Sequence, residues 1–179
     1  MIRIVNLKGV SVYPIFKNGK SAIEHYADEN KCKWLFNEQC GRANPITVFL
    51  RRPKERFISG VHTYLEYEKR KTSNIDEEEL FDLIERKKIT NEHFMPQFDW
   101  LERLQEYYNG IVILKTVEDL RNLIPNRESP RIPEMDRARR QRISDITYDL
   151  KKDHMLYNNY VGAHLPLKLL LGRINHALS

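Results

Sequence analysis

Val10-Ser-Val-Tyr-Pro-Ile-Phe-Lys-Asn-Gly-Lys-Ser-Ala-Ile-Glu-His25 is the stretch around which the chain is organised. Val10, Val12 and Ile15 are β-branched and suit a buried strand. Lys17 to Ser21 make a tight polar turn, with Gly19 at its centre. Helix follows from Ala22, with Ala22, Ile23 and Tyr26 on one side. Such a strand–turn–helix exposes backbone N–H groups at the positive end of a helix, and Lys17, Lys20 and Ser21 add cations and a hydroxyl. That combination holds phosphate or sulfate. The plainer reading is a lysine-rich solvated turn. The flanking strand and helix favour the anion site.

Working outward, Ile46-Thr-Val-Phe-Leu50 is apolar nearly throughout and reads as a strand buried on both faces. Pro53 stands where a helix starts without losing a hydrogen bond, and Phe57, Val61, Tyr64 and Leu65 continue at helical spacing. Asp76-Glu-Glu-Glu79 opens a second helix carrying Leu80, Leu83 and Ile84. Ile111-Val-Ile-Leu114 is a third strand, and Thr116 caps a helix over Val117–Leu123 with Glu118 and Asp119 in its first turn. Cys32-Lys-Trp-Leu-Phe36 is an ambiguous short strand. Residues 125–136 read as loop, and the chain from about Arg137 reads as helical. Buried strands alternating with helices predict an α/β fold with a small central parallel sheet flanked by helices. Ligands of such sheets bind beyond the carboxyl ends of the strands. The turn after Ile15 and the arginines after Leu50 both stand there.

At 179 residues the chain fits one domain spanning residues 1–179, with a core of ordinary size. It is 41% hydrophobic and 31% charged, as a globular protein would be. A net charge of +5 and a pI near 9.1 favour an anionic partner. Cys32 and Cys40 lack metal-ligand spacing, so a reducing, cytoplasmic compartment is expected. The charged N-terminus is no signal peptide, and no apolar run reaches the ~20 residues of a membrane span.

The second basic cluster is Arg51-Arg-Pro-Lys-Glu-Arg56-Phe-Ile-Ser59. With a helix from Pro53, Arg56 and Ser59 lie one turn apart on one face, and arginine offers bidentate phosphate contacts. Alone, such a cluster is a solvated basic face. Two of them, each directly after a buried strand, argue for one site. Pro14 to Ser21 comes one residue short of the nucleotide-binding pattern G-x-x-x-x-G-K-[ST]. Proline in place of the first glycine removes a positive φ. Neither of the other two strands ends in the acidic residue a Mg²⁺ site wants, since they run into Arg51 and Lys115. A metal-free site fits better, with a nucleotide kinase as the alternative.

These residues resemble the sulfotransferases, in particular the carbohydrate-type and related bacterial and phage members. Pro14-Ile-Phe-Lys17-Asn-Gly-Lys-Ser21 resembles their P-loop-like 5′-phosphosulfate strand–turn–helix. Arg51 to Ser59 is similar to the 3′-phosphate motif R-[DN]-P-x-x-R-x-x-S, and His93-Phe-Met-Pro-Gln97 to an H-[FW]-x-P-Q segment. Ile113-Leu-Lys-Thr-Val-Glu-Asp-Leu120 and Asp153-His-Met-Leu-Tyr157 echo later segments more weakly. The chain departs from the pattern at Phe16, Lys20 and Arg52, which stand for a proline, a small residue and an Asp or Asn.

The resemblance implies 3′-phosphoadenosine 5′-phosphosulfate as donor, adenosine 3′,5′-bisphosphate as product, no metal, and a small-molecule or glycan acceptor. Lys17 would stabilise charge on the leaving oxygen. Asn18, Gly19, Lys20 and Ser21 would hold the 5′-phosphate, and Arg51 and Ser59 the 3′-phosphate. His93 would be the base and Gln97 would orient the acceptor, with Glu24 and His25 as fallback bases. The Arg127–Arg142 stretch reads as a solvated loop, or as a cap over an anionic acceptor. A nucleic-acid binding module is the alternative from another class, though nucleic acid is disfavoured as a partner. Oligomeric state stays open, since Leu167, Leu170, Leu171 and Ile174 suit a core stripe or a dimer seam.

Overall fold

A computed structural model describes residues 1–71, 76–125 and 134–179. The chain opens with a hairpin, β1 (Arg3–Leu7) and β2 (Val10–Tyr13), joined through Lys8 and Gly9 at φ 50° and 84°. Two consecutive left-handed residues match the twist of a two-residue hairpin, and the Asn6 Oδ1 accepts from the Gly9 N–H at 3.0 Å. Helix α1 (Lys20–Glu29) leads to β3 (Trp34–Phe36), a 3₁₀ turn and β4 (Ile46–Leu50). The long α2 (Pro53–Lys71), α3 (Glu77–Glu85) and α4 (Gln97–Gln105) precede β5 (Ile111–Thr116) and α5 (Val117–Leu123). The C-terminal part comprises α6 (Arg137–Asp145), α7 (Lys151–Tyr160), β6 (His164–Pro166) and α8 (Leu167–Leu178).

The six strands form one sheet in the order β3-β1-β2-β4-β5-β6. Only β2–β4 and β4–β5 run parallel; the β1 pairings and β5–β6 are antiparallel. The expected parallel sheet is therefore corrected to a mixed one. Its parallel centre is the part the sequence reveals, because β4 is buried along its whole length and its neighbours β2 and β5 carry β-branched apolar residues. The antiparallel additions are a hairpin partner and two strands of three residues each, too short to show periodicity.

The sheet is covered on both sides. Val5, Leu7, Val12 and Phe49 face α1 and α5 through Ile23, Ala27 and Leu120. Ile4, Val48, Leu50 and Leu114 face α4, α7 and α8 through Phe98, Leu101, Leu156 and Leu170. A further apolar cluster joins α2, α3 and α6 through Val61, Leu65, Ile84 and Ile143. Leu167, Leu170, Leu171 and Ile174 are thus core residues of this chain. Among the described residues, no helix is long and apolar enough to cross a membrane. All three parallel strands present their carboxyl ends at one edge, where the β2–α1 turn, the β4–α2 junction and the β5–α5 junction meet.

Candidate functional site

The pocket at that edge has a volume of about 1420 Å³. Its first wall is the β2–α1 turn. β2 ends at Tyr13 and helix begins at Lys20, two residues earlier than the apolar pattern suggests. Between them Ile15 is buried, and its carbonyl accepts from the Asn18 N–H at 3.1 Å. Asn18 is 1% exposed and points inward, its amide donating to the Phe49 carbonyl (2.8 Å) and to Gln97 Oε1 (2.6 Å). That anchor leaves Lys17 in the left-handed region at φ 65° and Gly19 at φ 84°. A β-carbon at Gly19 would also lie 2.3 Å from Leu120 Cδ2. Glycine is required there twice over, by conformation and by contact.

Helix α1 begins with no side-chain cap and no acidic residue in its first turn, so no carboxylate of that turn offsets the positive end of the helix. Lys20 Nζ lies 3.9 Å over the Phe16 ring and 3.0 Å from Glu24 Oε1; Glu24 also pairs with Arg3. Burial, with Arg51 and Arg56 adding repulsion, lowers Lys17 to about 8. Lys20 is lowered too, first by burial and then by Arg3.

The second wall is the β4–α2 junction. Gln97 grips the backbone of Arg51 from both sides: its Oε1 accepts from the Arg51 N–H (2.9 Å) and its Nε2 donates to the Arg51 carbonyl (3.0 Å). Pro53 then starts α2, and positions 51, 55, 59, 63 and 67 all line the pocket. The last four form an i, i+4 stripe on α2, about 18 Å long at 1.5 Å per residue, with Arg51 just ahead of the helix. From Arg51 onward the wall reads cation, carboxylate, hydroxyl, hydroxyl, phenol.

His93 closes the third side. Asn91 Oδ1 lies 3.0 Å from the His93 N–H and 2.7 Å from Nδ1. An amide oxygen can only accept, so Nδ1 carries the proton and Nε2 keeps a free lone pair. The ring meets the Phe16 ring edge-on at 5.2 Å and is tilted against Tyr67 at 5.4 Å. Burial, then Lys17, Lys20 and Arg56, lower the imidazole to about 4, so it is neutral at physiological pH. The loop sits close on α2 because Gly60 leaves room; a β-carbon there would lie 2.2 Å from the His93 carbonyl oxygen.

Lys17, Gly19, Lys20, Ser21, Arg51, Ser59 and His93 therefore share one pocket. Several expected roles need correction. Gln97 is fully buried with its amide bound to protein, so it cannot orient an acceptor. Asn18 supports the turn from below, with its side chain away from any ligand. His25 is 59% exposed, pairs with Glu29 at 3.1 Å and does not line the pocket. Glu24 lines it but is held by two cations. Arg56 does not share Ser59's outlook, since it turns beneath the β2–α1 turn and is 1% exposed. The Arg127–Arg142 stretch lies partly outside the described residues. Within its described part, Arg139 pairs with Glu66 and Glu77, and Arg142 with Glu78, all away from the pocket.

Thr63 and Tyr67 were missed, although the i, i+4 spacing from Arg51 through Ser59 points to both. Thr116, Glu118 and Arg121 also line the pocket from the β5–α5 junction; the sequence marks the first two only as the cap and first turn of α5, and does not mark Arg121. Among the described residues, no group of three His, Cys, Asp or Glu side chains is placed to hold a metal ion. No protein-family model, no curated protein and no solved structure matches this chain.

Proposed function

We propose that the chain is a sulfotransferase that moves a sulfuryl group from 3′-phosphoadenosine 5′-phosphosulfate to an acceptor hydroxyl, with carbohydrate the acceptor class implied by resemblance. The observation that carries this reading is the meeting of two anion-holding corners and a neutral histidine in one pocket. A single phosphate needs one corner. Two corners separated along a pocket wall suit a ligand anionic at both ends.

In this reading the β2–α1 turn is a P-loop-like cradle. The Lys20 and Ser21 end of α1 takes the 5′-phosphate, and Arg51 with Ser59 takes the 3′-phosphate. The acceptor oxygen attacks sulfur, and the bond from sulfur to the bridging oxygen breaks. His93 Nε2 takes the acceptor's proton, and the Lys17 ammonium stabilises the charge left on the nucleotide. Catalysis rests on positioning and on charge stabilisation in a partly desolvated site.

Thermal unfolding tests the reading with adenosine 3′,5′-bisphosphate beside AMP, sulfate and ATP with Mg²⁺. At 100 times its Kd a ligand stabilises by ~2.7 kcal/mol, which raises Tm by about 5–10 °C for a chain of this size. The bisphosphate is expected to give the largest shift. A larger shift with ATP and Mg²⁺ replaces this reading by a nucleotide kinase.

A further inference from the structure

Arg56 is a charged side chain with 1% exposure, and among the described residues no carboxylate forms a salt bridge with it. Burial lowers it to about 10, with Asp153 the main opposing charge. Asp153 is itself occupied, because its two carboxylate oxygens accept from the Gln97 and Phe98 N–H groups at 2.8 Å each. A buried cation of this kind is costly, and an apolar side chain of similar volume often packs at least as well. Its hydrogen bonds say what it does. Nε donates to the Phe16 carbonyl at 3.1 Å and Nη1 donates to the Met95 carbonyl, while Nη2 has no partner among the described residues.

Phe16 O belongs to the peptide group that leads directly into Lys17, and Met95 lies two residues after His93. Lys17 stands at φ 65°, a conformation that a lysine seldom holds unaided. From one helix, α2, a single planar fork therefore holds the backbone on both sides of the pocket. We infer that Arg56 is a positioning residue that braces the Lys17 turn against the His93 loop and so sets the separation of the leaving-group cation and the base. The catalytic meaning of the brace rests on the proposed sulfuryl transfer; the brace itself does not.

Arg56→Lys is the informative variant. It keeps a cation near Asp153, but a point-like ammonium cannot reproduce the two-pronged grip. Without the brace, the Lys17 turn relaxes toward solvent and the His93 loop shifts. Turnover is expected to fall on the order of 10²-fold, the effect of a displacement near 1 Å. The donor KM should change less than about tenfold, because Arg51, Ser59 and the α1 N-terminus remain on their own elements. Two further readouts need no enzymatic activity. The pH midpoint for acylation of Lys17, followed by mass spectrometry, should move up from about 8 toward the ordinary lysine range. The imidazole signals of His93 in ¹H–¹⁵N spectra should move as well.

A folded Arg56→Lys protein with an unchanged Lys17 midpoint and unchanged His93 signals overturns the inference, and so does one with wild-type turnover. If the wild-type protein transfers no sulfuryl group, the functional reading falls, while labelling and spectra still decide the brace. Should the variant not fold, the wild-type protein still decides: the Arg56 Nε–H signal is expected in slow exchange with solvent, and fast exchange excludes the brace.

Discussion

The two basic corners of the pocket are built by different means. At the β2–α1 turn the backbone shapes the corner: left-handed residues at Lys17 and Gly19 aim the chain, and α1 begins there with no side-chain cap. At the β4–α2 junction side chains do it, with Arg51 leaving a strand end and Ser59 standing on a regular helix. The turn's unusual dihedrals are held by its own Asn18 and by Gln97 and Arg56 from outside it. The helix would keep its shape with alanine at position 59. A substitution in the turn therefore disturbs geometry, chemistry and stability together. One at the junction removes a contact and little else.

The largest expected effect comes from His93, which faces both corners and belongs to neither. His93→Ala should lose ~10²–10⁴-fold in rate, the usual worth of a positioned base, while adenosine 3′,5′-bisphosphate affinity stays nearly constant. Because the imidazole must be neutral to accept a proton, wild-type kcat/KM for the donor falls as pH drops through about 4, well below the usual histidine range. An acidic limb near 6.5, or one that survives His93→Ala, removes the histidine from the mechanism.

Lys17→Ala comes next and probes the turn. Removing a group that stabilises charge in the transition state costs ~10²–10³-fold in kcat. Donor binding should suffer less. Near wild-type turnover at saturating donor would reduce the turn to a binding element and erase the contrast between the corners.

Arg51→Ala should show the opposite pattern at the junction. Losing a charge-assisted contact should weaken adenosine 3′,5′-bisphosphate by ~1.5–3 kcal/mol, with a much smaller effect on adenosine 5′-phosphosulfate, which lacks the 3′-phosphate. Equal losses for both ligands in calorimetry would mean that Arg51 does not meet the 3′-phosphate.

The smallest effect, and the sharpest on stability, is Gly19→Ala. A side chain at φ 84° costs ~1–2 kcal/mol, and the clash with Leu120 adds to it. A fall in Tm of about 2–8 °C is expected. Ser59→Ala, on the helix, should leave Tm within about 2 °C, as most changes away from special backbone positions do. Equal Tm changes in the two variants would contradict the division between backbone and side-chain corners.

How much of this was legible in the sequence follows the same division. Regular elements announce themselves: β4 by its unbroken apolar run, α2 by Pro53, and α5 by the Thr116–Asp119 capping box. Arg51 and Ser59 share one wall because Arg51 follows the end of β4 and Ser59 stands on α2, which starts two residues after Arg51. The β1–β2 hairpin was missed because Lys8-Gly9 is a weak turn signal beside Asn-Gly. The polar segment around Gln97 resisted reading for another reason. A glutamine turned inward looks like one turned outward until its partners on β4 and the β2–α1 turn are known. Arg56 misled in the same way: its long side chain reaches under the turn although its α-carbon shares a helical face with Ser59.

The crowding of Lys17 against Arg51 and Arg56 has a consequence for the life of the molecule outside catalysis. A lysine whose proton is held less tightly in the folded chain than in the unfolded one opposes folding at neutral pH. That penalty eases as pH rises from about 8 toward the unfolded value. Burial is the main cause of that penalty and Arg51 and Arg56 add to it, so an anion bound among these cations would offset the repulsive part without any change of pH. Sulfate or phosphate should raise Tm more than chloride at equal ionic strength.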